Sequence, residues 1–332
     1  MVFKRLLGSL GVGAPTVDTV LQPDPVLPGG TLTGQVHLRG GQADFDIEHI
    51  TLELVARVEA EHEDGEGEGV VVFDRFTVGG GFRLGAEAAH PVPFRVSLPW
   101  ETPITELYGQ PLGIVLGVRT ELAVAGAKDK GDLDPLTVTA LPVQEAVLEA
   151  FGQLGFGFKS ADLEYGHIGG SGQQLPFYQE IELSPAPQYA HQLNEIEVTF
   201  LTGPGGLEVV LEADKRGGFL SPGQDAVTRF AVGHHDVRDW TAEVDGWVRQ
   251  LVEHRATYGD RTAAYGHGTP YADHGHGGHQ HGGHRSGPGM GTAVAAGAAG
   301  LAVGVVGGMV AAEVVDEVGD FFEGDDEGEG ED

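Results

Sequence analysis

Apolar and polar residues alternate with a period of two over most of this chain, and that pattern limits the folds open to it. In Thr51-Leu-Glu-Leu-Val-Ala-Arg-Val58, one strand face carries Leu52, Leu54, Ala56 and Val58, and the other carries Thr51, Glu53, Val55 and Arg57. A strand built this way sets one face on a core and the other in water, as antiparallel sandwiches do. The pattern recurs in Thr31–Leu38, Gly69–Val78, Pro93–Leu98 and Ile114–Val124. Turn residues divide these runs: Pro28-Gly29-Gly30, Gly40-Gly41, Gly79-Gly80-Gly81 and Pro99. Between Glu59 and Gly69 lie six acids and three glycines, a composition that buries nothing and reads as an exposed hairpin tip.

A polar connector, Lys128–Asp132, leads to a second strand-rich stretch that ends near Val237. Ile196, Val198 and Phe200 alternate with Glu195, Glu197 and Thr199. After the turn Gly203-Pro-Gly-Gly206, Leu207, Val209, Leu211 and Ala213 alternate with Glu208, Val210, Glu212 and Asp214. The two runs form a hairpin. No long helix is expected among the strands before residue 239, which disfavours a parallel α/β sheet. The expected fold is all-β, with two consecutive β sandwiches at 15–130 and 131–238.

Two helices frame that body. Phe3, Leu6, Leu7 and Leu10 stand at i, i+3, i+4 and i+7, which makes residues 1–14 a short apolar helix. It caps the β body or, through Lys4 and Arg5, touches a membrane surface. Gly8, Gly11 and Gly13 break the run, and no small-residue cleavage site follows, so it does not read as a secretory signal. At 239–258 an amphipathic helix follows Asp239 as N-cap, with Trp240, Val244, Trp247, Val248, Leu251 and Val252 on one stripe. That stripe packs on the second sandwich; its tryptophans, Trp240 and Trp247, are also candidates for a partner-binding face.

Three unlike segments complete the chain. Residues 259–289 are a His/Gly-rich linker, in which His267, His274, His276, His279, His281 and His284 fall within eighteen residues. The last five are close enough for a flexible chain to wrap them around Zn²⁺, Ni²⁺ or Cu²⁺. The alternative is a spacer whose histidines have no metal role; no cofactor is otherwise expected. Residues 290–312 are 23 consecutive uncharged residues, with Gly300, Gly304 and Gly308 recurring every fourth position. Such a small-residue stripe suits helix association, and 23 helical residues reach about 34 Å, enough to cross a hydrocarbon core. Only 8 of the 23 are Val, Leu or Met, so insertion would be marginal. Membrane contact, self-association into a homo-oligomer and disorder all remain open. The tail 313–332 holds 11 acids and no base.

Charge and composition remove several functions. The formal charge is −31, from 50 acids against 19 bases. No local excess of Lys or Arg is present to neutralise phosphates, which argues against nucleic acid. With no cysteine, disulfides, thiolate metal sites and a Cys nucleophile are excluded. No G-x-S-x-G, H-E-x-x-H, P-loop or dinucleotide fingerprint occurs. His234-His235-Asp236 reads as a solvated turn at a strand end. Glu180 and Glu182, two apart on a strand, share a face and form the best carboxylate pair for acid–base work, though outward acids are common in so acidic a chain. Lys215 and Arg216 are a basic pair that the acidic tail or a partner could occupy.

Several ordered segments resemble a known family. They are Gly11-Val-Gly-Ala-Pro-Thr-Val-Asp-Thr-Val-Leu21, Pro28-Gly-Gly-Thr-Leu-Thr-Gly-Gln-Val36, Pro91-Val-Pro-Phe-Arg-Val-Ser-Leu-Pro99, Leu175–Pro185 and Leu207–Arg216. In order and spacing they resemble the bacterial sporulation-control proteins, across roughly residues 1–256. The resemblance implies an arrestin-like fold and a non-enzymatic adaptor or scaffold for sporulation or cell development, acting through protein partners. It implies no catalytic residues, and it does not extend to the histidine tract or the glycine stripe; the expected location is cytoplasmic, with the segment 290–312 available to bring the protein to the membrane periphery. The basic cluster with which animal arrestins sense phosphate is not recognisable here. Metal buffering by the histidine tract is the alternative function.

Overall fold

The computed structural model describes residues 13–62, 65–126, 130–213 and 227–265, without the side chains of 60–66 and 255–265. The expected helix over 1–14 therefore lies almost wholly outside the described residues, as do the linker from residue 266, the segment 290–312 and the acidic tail.

The described residues are mostly strand. In chain order these are β1 Thr16–Leu21, β2 Thr31–Arg39, β3 Phe45–His62, β4 Gly65–Leu84, β5 Ala89–Ser97, β6 Glu106–Leu107, β7 Gln110–Pro111, β8 Leu116–Val124 and β9 Lys130–Pro135. Helix α1, Pro142–Leu154, comes next. Then follow β10 Gly157–Tyr165, β11 Phe177–Ser184, β12 Ile196–Gly203, β13 Gly206–Ala213, β14 Thr228–Val232 and helix α2 Trp240–Tyr265. Three strands form a small sheet in the order β1-β2-β5, and β6 with β7 forms a ribbon. The large sheet runs β14-β13-β12-β11-β10-β3-β8-β9, and β4 pairs with β3.

Strand β3 is the hinge of this topology. Along one edge it pairs with β4 from Phe45 to His62. Along the other it pairs with β8 from Ile47 to Ala56, and beyond the end of β8 it meets β10 in parallel at Glu59 and Glu164. The sheet of the second half is thus continuous with that of the first, joined at one register pair. Leu32, Val36, Leu38 and Phe94 of the small sheet share a buried apolar cluster with Ile50, Leu52, Leu54, Val118 and Leu122 of the large one. The inward alternation read in Thr51–Val58 is therefore real.

The outward face of β3 departs from expectation. Thr51, Glu53 and Val55 were expected in water, yet all three are buried, Glu53 at 0 % exposure. Glu53 lies directly opposite Arg75 of β4 and Arg119 of β8. Arg75 Nε donates to Glu53 Oε1 at 2.6 Å and Arg119 Nε donates to Oε2 at 2.7 Å, so both carboxylate oxygens are engaged. Val55 faces Gly117, and Leu133 and Val55 close over the side chain that Gly117 lacks. Alternation names a face, but it does not say whether long side chains from neighbouring strands will fold across it.

Helix α1 is an addition to the expected strand-only stretch between 131 and 238. Pro142 stands at its first turn, where a missing N–H costs nothing. The Gln144 side chain accepts the Leu141 N–H at 2.8 Å, and Gly155 ends the helix at φ 94°. Val143, Val147, Leu148, Ala150 and Phe151 are buried. The signals are local and legible, but thirteen residues between strands are short enough to be passed over. Val210 also departs from the pattern. Its face of β13 was expected to be wet, yet Val210 is 4 % exposed, in a small second cluster with Ile168, Tyr178 and Leu201. The segment before β11 supplies Ile168, and Gln173 pins that segment by donating to the carbonyls of Gly166 and Leu175, each at 2.8 Å.

Candidate functional site: an acid-lined groove and a carboxylate band

Antiparallel pairing turns the main-chain groups of successive residues alternately toward and away from the partner strand. Gln22 N–H donates to Thr33 O across the β1–β2 pair, so the N–H and C=O of Leu21 face the other way. They face β9, whose own hydrogen bonds go to β8. Between these two strand edges lies a groove of about 460 Å³. It is closed at one end where Thr19 N–H donates to Asp132 Oδ2 at 2.6 Å. At the other end Val26 N–H donates to Thr137 O and Thr139 N–H donates to Val26 O, at 3.1 and 2.9 Å. Leu21, Val26, Leu32 and Leu136 give the groove apolar walls, and Asp18, Asp24 and Asp134 give it charge.

Asp134 is the perturbed group of the groove. Burial, then the charges of Asp132 and Asp18, push its carboxyl up to about 7. Its Oδ2 is buried and has no hydrogen-bond partner among the described residues. The sequence reading missed this site, because it took Lys128–Asp132 as a connector where β9 begins at Lys130. Asp132 and Asp134 alternating with Leu133 were the available signal.

A second acidic feature crosses strands β10 to β13. Asp162 stands opposite Glu180, Glu182 opposite Glu197, and Glu197 opposite Glu212. Glu180 and Glu182 do share a face, as their spacing implied, but their surroundings differ. Glu182 accepts from Lys159 Nζ at 2.8 Å and from Ser160 Oγ at 2.5 Å. Burial works to raise its carboxyl, and those two bonds outweigh burial and hold it low. Lys159 also pairs with Glu195. Burial pushes Glu180 up to about 10, with Glu197, Asp162, Glu164 and Glu212 adding to the shift. Carboxylate oxygens of Asp162, Glu164 and Glu180 lie within 4.8 Å of one another. Two neighbouring carboxyls held in different protonation states can divide acid and base roles.

The remaining candidates are placed as follows. His234 stacks on Trp100 with ring centroids 5.0 Å apart, and its Nε2 lies 2.8 Å from Gly203 O. Asp236 accepts the Gly233 N–H at 3.1 Å and pairs with Arg238. The His234-His235-Asp236 segment thus closes the chain after β14. Trp247 stacks on Phe230 at 4.8 Å and is 6 % exposed, so it packs as part of the core. Trp240 is half-buried, with the Arg238 guanidinium 5.7 Å from its ring centre. Lys215 and Arg216, the histidines His274, His276, His279, His281 and His284, and the stripe Gly300, Gly304 and Gly308 all lie outside the described residues. Among the described residues no helix is long and apolar enough to cross a membrane.

Strands, two helices and the groove together define a sheet-built protein whose distinguishing surfaces are strand edges and acids. The family model for SpoOM protein matches residues 3–217, and the chain belongs to that family. It is 39 % identical over 215 residues to the sporulation-control protein spo0M of Bacillus subtilis strain 168, a match that covers 64 % of this chain and 81 % of that one. Among solved structures it is similar to the crystal structure of Spo0M from Bacillus subtilis, with a TM-score of 0.59 and 32 % identity over 75 % of this chain and 99 % of that one.

Proposed function

We infer that this protein is a non-enzymatic regulator of sporulation or cell development, acting as an adaptor that binds a protein partner in the groove between β1 and β9. The relationship to a sporulation-control protein supports the process, and the groove supports the mode of action. Apolar walls, outward-facing main-chain groups on Leu21 and three aspartates suit one occupant, a partner segment that carries lysine or arginine. A cation brought to Asp134 offsets the cost of its buried, unpartnered oxygen. The adaptor reading is tested in a Bacillus subtilis strain lacking its own spo0M. Expression of this chain is expected to restore heat-resistant spores, and Asp18→Asn with Asp24→Asn is expected to reduce that restoration about tenfold or more while leaving the melting temperature within a few degrees. Full restoration by the double variant would remove the groove from the mechanism.

The segment 290–312 is assigned to localisation or self-association, on the strength of Gly300, Gly304 and Gly308 recurring at helical spacing. Cell fractionation and sedimentation of the full chain are compared with a chain ending at Gly289. Loss of a membrane-bound or oligomeric fraction on shortening is the expected result, and identical behaviour of the two chains would discard this role.

A further inference from the structure

The groove between β1 and β9 opens into the interior of the first sandwich. Asp132 and Asp134 of β9 stand opposite Thr120 and Val118 of β8, and both of those are fully buried. Residues opposite one another in an antiparallel pair share a face, so both aspartates project between the two sheets. Strand β1 meets them with its own inner face. Thr19 Oγ1 and Thr120 Oγ1 lie 2.7 Å apart, and Leu21, two residues on, packs against the core. Asp132 is spent on the Thr19 N–H. Asp134 Oδ2 is buried and has no partner among the described residues. The groove is therefore a mouth, walled by Leu21, Val26 and Leu136, with a carboxylate behind it.

The main chain around this mouth accepts more than it donates. Leu136 N–H goes to Leu116 O of β8, so the C=O of Pro135 turns the other way, toward β1. The C=O of Leu21 faces it from β1. Pro23 and Pro135 have no N–H, and those of Thr19, Gln22 and Val26 are already bonded. A carbonyl from each strand edge and Asp134 Oδ2 from the interior thus border one space. They are not set side by side, as a planar guanidinium requires for bidentate pairing. An ammonium carries three donors in a tetrahedral arrangement, which suits acceptors on different sides.

The ends of the groove restrict how anything enters. One end is held by the Thr19–Asp132 bond, the other by the main-chain bonds of Val26 with Thr137 and Thr139. A strand laid along β1 and β9 would have to break one of these closures. A single long side chain passes between them, and about 460 Å³ gives it room.

We propose that the groove is a lysine pocket: one unmodified lysine of the partner enters it end-on, with its methylene stem on Leu21, Val26 and Leu136 and its ammonium on Asp134 and the carbonyls of Leu21 and Pro135. This rests on the adaptor reading above and narrows it from a basic segment to one side chain. Lysine buries an apolar stem while its charged head finds polar partners, which is the order in which the groove offers them. Shorter cations, such as a protonated imidazole, lack the reach to a carboxylate behind apolar walls. Acetylation of the lysine removes its charge and two of its donors, so the modified side chain is excluded.

The test is methyl NMR of the full chain at about pH 8, above the value near 7 to which Asp134 is raised. The probes are blocked peptides Gly-Gly-X-Gly-Gly at millimolar concentration, with lysine, arginine, norleucine or Nε-acetyl-lysine as X. The lysine peptide is expected to shift the methyls of Leu21, Val26 and Leu136 saturably and to leave those of Leu211 on β13 unmoved. Arginine has the same charge and is expected to bind about tenfold more weakly. Norleucine and acetyl-lysine are expected to give no saturable shift. Asp134→Asn is expected to weaken the lysine peptide about tenfold or more, with the Leu211 methyls unmoved as the sign of an intact fold. The peptide arms use the natural sequence, so they decide the matter whatever the variant does. Equal binding of lysine and arginine, or of lysine and acetyl-lysine, would overturn the proposal. So would spermidine binding about tenfold more tightly than the lysine peptide, which would make a free polyamine the ligand. Absence of any saturable shift would overturn it too. If Asp18→Asn with Asp24→Asn then still lowered spore restoration, the groove would remain the partner's site with a different chemistry. Selective, saturable lysine binding beside full restoration by that double variant would uphold the pocket and remove the adaptor role.

Discussion

Replacing Glu53 by alanine is expected to cost the fold about 3–5 kcal/mol, among the largest losses available to one substitution in this chain. Glu53 is fully buried, and both its oxygens are taken by arginines from the strands on either side. Removing it leaves the Arg119 guanidinium, 15 % exposed, without its counter-charge. Arg75 is 64 % exposed and can turn into water. The clamp is therefore asymmetric: Arg75→Ala leaves the buried Oε1 without its donor but keeps the Arg119 counter-charge, and is expected to cost about 1–2 kcal/mol. Urea unfolding of the two variants checks this, with a fall in midpoint at unchanged slope. Equal costs would mean that the Arg75 pair carries the clamp and that the buried Arg119 pair adds nothing beyond it. The three strands tied by this clamp, β4, β3 and β8, include the strand that carries the junction to β10, so loss of Glu53 should also lower hydrogen-exchange protection at Glu59.

The second large effect is expected at Trp247. Its ring lies on Phe230 and belongs to the buried cluster with Val244, Val248 and Leu251, so Trp247→Ala removes a large buried surface and leaves a cavity. The expected cost is about 3–5 kcal/mol. Trp240, half-buried at the start of the helix, is expected to cost about 1–2 kcal/mol when cut to alanine. Thermal unfolding separates the two. If Trp247→Ala were stable but failed to restore spores, the ring would be a contact for partners rather than part of the core.

These expectations differ in how far they could be read in advance. The all-β character was legible because alternation is a property of neighbouring residues: Leu52, Leu54, Ala56 and Val58 point inward whatever lies elsewhere in the chain. The stripe through Trp240, Val244, Trp247, Val248 and Leu251 was equally local, and the helix packs through it. The acid-lined groove was not legible. It is made by two edges more than a hundred residues apart, Asp18–Val26 and Asp134–Thr137, and no local pattern announces which edges will lie side by side. Glu53 was misplaced for a related reason. Its own strand marks it as outward, while its burial depends on Arg75 and Arg119 arriving opposite it.

By itself, the sequence determined that this chain builds sheets, ends its strands at glycine and proline turns, and lacks thiol chemistry. Residue spacing is sufficient for those conclusions, because strand and helix periods are set within a few residues. Only the tertiary structure decided that the two halves share one sheet through Glu59 and Glu164, that acids stack in register there, and that β1 and β9 leave a groove between them. Register between distant strands is chosen by the sum of many long-range pairings, and that sum exists only once the chain has folded.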